Sequence, residues 1–249
     1  MKTTVLWLTV CMFISIAIPL MARGVARLFE KDIIPTSGGD LEITFIGHGT
    51  LMFSFAGKII HIDPWSQLAD YASLPTADLV LITHEHPDHL DLKALALIRT
   101  EKTELITTQT CAEKLTGAVV MNNGDAKTVQ GLLIEAVPAY NIVNMREDGT
   151  PYHPRGNGNG YVIRFSDKRV YVAGDTENIP EMKQLEKIDI AFLPMNLPYT
   201  MTPEMAADAA EGFHPKILYP YHFGESETAK LQRLLADEKK IELRIRKMK

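Results

Sequence analysis

Short β-rich runs in the first and middle thirds of the chain, helical spacing in the last third, and a core-sized apolar fraction together predict a single α/β domain. The chain has 249 residues, 46% of them hydrophobic, enough to bury a full core in one domain. Periodicity by itself goes no further than mixed α and β. The first β-runs are Leu41 to Ile46 and Leu51 to Phe55, with Gly47-His48-Gly49 between them. Ile60-His61-Ile62-Asp63-Pro64 and Asp78-Leu79-Val80-Leu81-Ile82-Thr83 follow, the second being the kind of apolar run that forms a buried strand. β-runs resume from Lys127 to Val172. Within that region Arg155-Gly156-Asn157-Gly158-Asn159-Gly160 reads as a flexible turn, since it lacks the Lys-Ser/Thr of a phosphate loop. Helical spacing covers Pro203 to Glu211, opened by Thr202-Pro203 and closed by Gly212, and then Ser226 to Lys239. The basic C-terminal run, Lys239 to Lys249, is interleaved with Ile and Leu and predicts a last strand with a solvated face. No tandem repeat is present.

Residues 1–26 belong to a different regime. Lys2 precedes an apolar run from Val5 to Met21, and Arg23 and Arg27 follow it, which is the pattern of an export signal. Neither Ala22 nor Ala26 completes a small-x-small cleavage pattern, so an uncleaved membrane anchor is the alternative. The expected location is extracytoplasmic, periplasmic or tethered to the membrane, with residues 27–249 forming the domain. Cys111 is the one cysteine beyond this leader; no intrachain disulfide is expected, and a buried core thiol is. The net charge of −5 argues against a broad nucleic-acid surface, which needs clustered Lys and Arg.

The chemistry concentrates in His84-Glu85-His86-Pro87-Asp88-His89, directly after the apolar run ending at Thr83. His84 and His86, two apart in extended chain, point the same way toward one ion, and Asp88 and His89, past the turn at Pro87, face a second. Zn²⁺ accepts imidazole and carboxylate together, and the absence of cysteine ligands leaves positions open for water, which favours catalysis over a closed structural site.

His84-x-His86-x-Asp88-His89 after a strand resembles the metallo-β-lactamase superfamily of metal-dependent hydrolases. Ile60-His61-Ile62-Asp63-Pro64 resembles that family's early strand ending in Asp. Tyr171-Val172-Ala173-Gly174-Asp175-Thr176 resembles the strand ending in its metal-bridging Asp, and Tyr219-Pro220-Tyr221-His222-Phe223-Gly224 the last strand, ending in its final ligand His. Gly47-His48-Gly49, Val137-Pro138-Ala139-Tyr140-Asn141 and Gly174-Asp175-Thr176-Glu177 most resemble the branch holding ascorbate-phosphate lactonase-like proteins and N-acyl phosphatidylethanolamine phospholipase D. The resemblance runs from about Leu41 to the C-terminus. It implies an αββα sandwich, two central mixed sheets with helices outside and the metals at one edge.

It also implies two divalent ions, zinc first, with manganese or iron as the alternatives. His84 and His86 then hold one ion, Asp88, His89 and His222 the other, and Asp175 bridges. Asp88 is the candidate to handle a proton beside the attacking water. Asp63 reads either as the acceptor behind a ligand imidazole or as a local cap. One position departs from the pattern: the family's third histidine for the first ion is Asn141 here. An amide oxygen is a weak zinc donor, so either Asn141 serves a harder ion or His153, in Pro151-Tyr152-His153-Pro154, replaces it. His48 either lines the cleft or bonds to the backbone of its turn, and His61 and His214 read as structural.

The leading expectation is a hydrolase that uses a metal-activated water on an ester, lactone, amide or phosphodiester of a small or lipid-like substrate. Two others remain open from sequence: an iron redox enzyme on the same fold, and a metal-binding or partner-binding protein that has lost turnover through Asn141.

Overall fold

The computed structural model describes residues 29–248, so the export or anchor segment of residues 1–26 lies outside the described residues. The first half of the described chain builds one seven-stranded sheet in chain order. Its strands are β1 (Glu30–Thr36), β2 (Gly39–Gly47), β3 (Thr50–Phe55), β4 (Lys58–Ile62), β5 (Leu79–Leu81), β6 (Glu104–Thr107) and β7 (Val119–Val120). The second half repeats the scheme with β8 (Ala126–Val129), β9 (Leu132–Ala139), β10 (Gly158–Phe165), β11 (Lys168–Val172), β12 (Ile190–Pro194), β13 (Ile217–Tyr221) and β14 (Glu242–Leu243). In each sheet the first four strands pair antiparallel and the last four parallel. Two-residue turns at Ala56-Gly57 and Gln130-Gly131 have positive φ at both positions, the geometry that matches strand twist in tight hairpins.

Four α-helices, α1 (Leu92–Ile98), α2 (Gln109–Ala112), α3 (Pro203–Phe213) and α4 (Thr228–Leu234), and two single-turn 3-10 helices at Tyr71–Ser73 and Met182–Gln184 complete the described elements. β5 shows how the layers arise. Leu79 and Leu81 point between the sheets, while Val80 and the following Ile82 point outward beneath Leu95 and Ile98 of α1. A strand covered on both faces reads as an unbroken apolar run. Between the sheets Phe45 and Phe192 meet Tyr219 with ring centroids 5.1 Å away, and Phe53 meets Phe165 at 5.4 Å. On the far side, α3 lays Ala206, Ala209, Ala210 and Phe213 into the core, with Phe213 edge-on to Tyr171. Leu95 and Ile98 alone contribute about 1.5–3 kcal/mol each by burial. The result is two mixed sheets face to face, with helices outside.

Four local expectations need correction. α3 runs through Gly212 and stops at His214, which takes the left-handed conformation at φ 51° while its N–H caps Ala210. Gly212 instead makes room for Lys183, whose Cγ lies 2.8 Å from where a Cβ would stand. Ser226 to Lys239 yields a helix over Thr228–Leu234 only. The stretch Arg155 to Gly160 is not simply a flexible turn, because β10 begins at Gly158. Gly158 and Gly160 each face a carbonyl oxygen 2.9 Å from a notional Cβ, so glycine there permits close backbone approach. The C-terminal basic run is not a solvated strand face either. Its strand is two residues long, and Arg244 and Arg246 turn inward onto Asp32 of β1. Asp32 also accepts from the Tyr219 hydroxyl. Burial opposes charge on Asp32, but that hydroxyl and the two guanidiniums win and hold its carboxyl below the ordinary range.

Candidate metal centre

The parallel strands end at a common edge of the sandwich, and their C-terminal extensions bring the histidines and aspartates together. His84 to His89 follow β5, Asp175 follows β11, His222 follows β13, and His153 lies on the long connection between β9 and β10. His48 sits in the β2–β3 turn at φ 51°.

Two groups form around Asp175. In the first, His84 Nε2 lies 3.0 Å from His86 Nδ1 and 3.9 Å from Asp175 Oδ2, and His153 Nε2 lies 3.3 Å from the same oxygen. In the second, His89 Nε2 is 3.5 Å from Asp175 Oδ1, and His222 Nε2 is 3.5 Å from Oδ2. Asp88 Oδ2 stands 3.6 Å from His89 Nε2 and 3.5 Å from His222 Nε2. Tetrahedral ligands about 2.0–2.1 Å from a zinc ion lie roughly 3.3–3.4 Å from one another. The spacings centre on that value.

Four of the converging atoms lack any partner. Among the described residues, His89 Nε2, His153 Nε2, His222 Nε2 and Asp175 Oδ1 are buried with no hydrogen bond. Buried polar atoms are ordinarily satisfied, so several orphans aimed at one spot fit a cation. The opposite ring atoms are occupied. His89 Nδ1 bonds Asp63 at 2.8 Å, His153 Nδ1 bonds the Asn141 oxygen at 2.7 Å, and His84 Nδ1 bonds Thr83 Oγ1 at 3.0 Å. Thr83 in turn donates hydrogen bonds to the two Asp63 oxygens, from its hydroxyl at 2.6 Å and from its backbone N–H at 2.8 Å. Partners of this kind aim imidazoles and fix their tautomers.

Asp63 is thus behind His89, as a supporting acceptor. Asn141 is not among the converging atoms, and the expectation that it stands in as a ligand is corrected: its oxygen faces His153, and its amide nitrogen donates to Glu177 and to the Tyr199 carbonyl. His153 occupies the place beside His84 and His86 instead. His48 lines the cleft, with Nε2 3.1 Å from Asp88 and its ring 3.6 Å from that of His222. His61 and His214 are elsewhere. His61 is fully buried against the Pro75 carbonyl, and burial lowers it to about 4.

The electrostatics are those of a negative pocket. Burial opposes charge on Asp175, yet the neighbouring His222 and His89 hold its carboxyl well below the ordinary range. Asp88 is likewise depressed despite burial, through the neighbouring His222 ring 3.5 Å away and the hydrogen bond from His48. Burial works against a charged His89, but Asp175, Asp63 and Asp88 raise it to about 10. A cation at its Nε2 displaces that proton. Burial drives His84 well below its usual value.

Some contributors escape sequence reading. Glu177, 1% exposed, accepts from the backbone N–H groups of Ile142, Val143 and Asn144 at 2.6–2.7 Å and so fixes the loop that starts at Asn141. Gly49 has a specific job: a Cβ there would meet His89 Cε1 at 2.8 Å and His222 Cδ2 at 3.3 Å. Trp65, Tyr152 and Tyr199 wall an open cleft of about 600 Å³ over both groups, joined by Arg146, His48 and Asp88. Their only sequence signal is their place on loops that follow strand ends.

Comparison with known proteins agrees. A Beta-lactamase superfamily domain model matches residues 42–222. A UPF0173 metal-dependent hydrolase of Methanopyrus kandleri is 33% identical over 196 residues, covering 74% of this chain and 84% of its own length. A crystal structure of a protein from Parabacteroides distasonis, assigned as a metal-dependent hydrolase, is 49% identical, covers 89% of this chain and 100% of its own, and superposes with a TM-score of 0.85. Igni18, a metallo hydrolase of Ignicoccus hospitalis, is 25% identical over 82% of this chain and 94% of its own, with a TM-score of 0.66. With the matched region running from β2 to His222, the chain belongs to the metallo-β-lactamase superfamily and is one of its metal-dependent hydrolases.

Proposed function

We propose that the protein binds two divalent ions, zinc by the character of its donors, and hydrolyses an ester, lactone or phosphodiester bond in a small or lipid-like substrate. The observation that carries this reading is the set of orphaned buried atoms, His89 Nε2, His153 Nε2, His222 Nε2 and Asp175 Oδ1, meeting at tetrahedral ligand spacings. In it His84, His86 and His153 would hold one ion, His89, His222 and Asp88 the other, with Asp175 within reach of both groups. When bound, such ions would lower the pKa of a water toward neutrality and polarise the scissile oxygen.

The chain's own groups do the rest. Asp88, held ionised by His48 and His222, accepts a hydrogen bond from the attacking water and so points a lone pair at the substrate. His48, on the cleft side of Asp88, relays the released proton toward solvent. Trp65, Tyr152 and Tyr199 exclude water from the substrate's apolar part, and Arg146 stands at the mouth to meet negative charge. Export, with the leader either cut or retained as an anchor, is part of the proposal and rests on the apolar run Val5 to Met21. Among the described residues no helix is long and apolar enough to cross a membrane.

Metal analysis of the purified chain, paired with turnover of phosphodiester, carboxylester and lactone probes before and after chelation, tests the reading. Two equivalents of zinc with chelator-sensitive turnover of one probe class are expected. At most one weakly held ion and no turnover after reconstitution would overturn it.

A further inference from the structure

Nine large apolar side chains are exposed among the described residues, and five of them, Ile142, Val143, Met145, Leu197 and Tyr199, fall on two loops joined by hydrogen bonds. They occupy two loops that border the cleft, after β9 and after β12. Val143 is 63% exposed and Leu197 47%. This exposure is built in. Asn141 and Asn144 donate side-chain amide protons to the Tyr199 and Thr200 carbonyls at 2.8 and 2.9 Å, tying the loops together, and Glu177 grips the backbone of residues 142–144. A braced frame that turns its apolar groups outward beside a cleft marks an interaction surface.

The path of the chain says what covers it. Glu30, the first residue of β1, pairs with Phe45 of β2, three residues before His48, so β1 starts at the metal-bearing edge. Asp32 bonds Tyr219 of β13, and the loop with Leu197 and Tyr199 leaves the adjacent strand β12, about 4.8 Å away across the sheet. The described chain therefore begins at the edge that carries the apolar patch, and residues 1–28 precede that point in the sequence. They include the run Val5 to Met21, which at roughly 17 residues reaches the lower bound for crossing a bilayer.

We infer that this edge of the sandwich lies against a lipid bilayer, with the five side chains seated in the headgroup–acyl boundary and the metal cleft opening toward it. The surface recognised is zwitterionic, because Arg146 is offset by Glu147 and Asp148 on the same loop, and among the described residues these loops carry no net positive charge to prefer anionic lipid. Tyr199 suits that depth, with an apolar ring and a polar tip. The inference concerns orientation and stands whether or not the proposed bond class is right.

The test uses the full chain in phosphatidylcholine vesicles, with Val143→Trp or Met145→Trp as probes and Leu97→Trp on α1 as reference. All three positions are exposed, so the substitutions leave the core intact. With lipids brominated in the upper acyl chain, the added emission of the two loop probes is expected to be quenched at least threefold more than that of the α1 probe. Equal quenching overturns the inference. So does a concentration-dependent blue shift of the loop probes without lipid, which would assign the patch to a second copy, or release of the chain from vesicles by cleavage after the leader.

Discussion

Replacing Gly49 by alanine tests how finely the second cation group is built. The new Cβ would stand 2.8 Å from Cε1 of His89 and 3.3 Å from Cδ2 of His222. Carbon atoms in contact settle at about 3.5–4.0 Å, so the His89 ring must retreat by roughly 0.7 Å. It has no easy retreat, because its Nδ1 is tied to the fully buried Asp63 at 2.8 Å. Metal–nitrogen distances tolerate only about 0.2 Å. Gly49 does not lie in the left-handed region, so alanine adds no backbone strain and the effect is purely steric. The expected result is a 10–100-fold loss of affinity for one ion, the range seen when a ligand's support is disturbed. Overpacking costs a further ~1–3 kcal/mol of stability. Chelator competition on the purified variant resolves the two proposed ions, and the His84–His86–His153 group serves as the internal reference. Wild-type affinity at both sites would refute the steric argument. Equal loss at both would assign the effect to general misfolding.

Asn141→Ala frees His153 and should weaken the first ion 10–100-fold while sparing the second, the mirror image of Gly49→Ala in the same competition assay. Glu177→Gln replaces an acceptor of three backbone N–H groups by an amide with half the accepting capacity; a loss of about 2–3 kcal/mol in urea unfolding is expected, with cleft-loop amides exchanging faster. His61 is held neutral by burial, with its folded value lowered to about 4 from an ordinary 6.5. The unfolded chain thus binds the proton first, so its contribution is fully present above pH 6.5 and is lost as pH falls toward 4. At 1.36 kcal/mol per unit this amounts to about 3 kcal/mol, and His61→Gln should flatten that limb of the stability–pH curve.

Much of this architecture was legible in the sequence because it rests on local patterns. The β-runs around His48, the apolar stretch before His84 and the Thr202-Pro203 helix start appear where side-chain period and capping chemistry predict them. What was misread depends on partners distant in sequence. Gly212 has the look of a helix stop until Lys183 is seen to need its space. Gly158 and Gly160 have the look of a loop until the carbonyls of Ala139 and Ala173 press on them. Arg244 and Arg246 look solvated until β1 brings Asp32 beneath them, more than 200 positions away in the chain.

The site divides in the same way. His84, His86, Asp88 and His89 fall within six residues, and a strand followed by a turn suffices to group them, so sequence alone determined that a cluster of potential metal donors sits after β5. The choice between Asn141 and His153 was beyond it. Both are polar loop residues with donor atoms, and twelve positions of connecting chain permit either to approach the cleft. Tertiary structure brings His153 rather than Asn141 beside the other donors through Glu177, which anchors the loop backbone and leaves the Asn141 oxygen facing a ring nitrogen of His153, turning the other ring nitrogen toward Asp175. Spacing in the chain specifies which donors are close along the backbone; only packing across two sheets specifies where each ring nitrogen points.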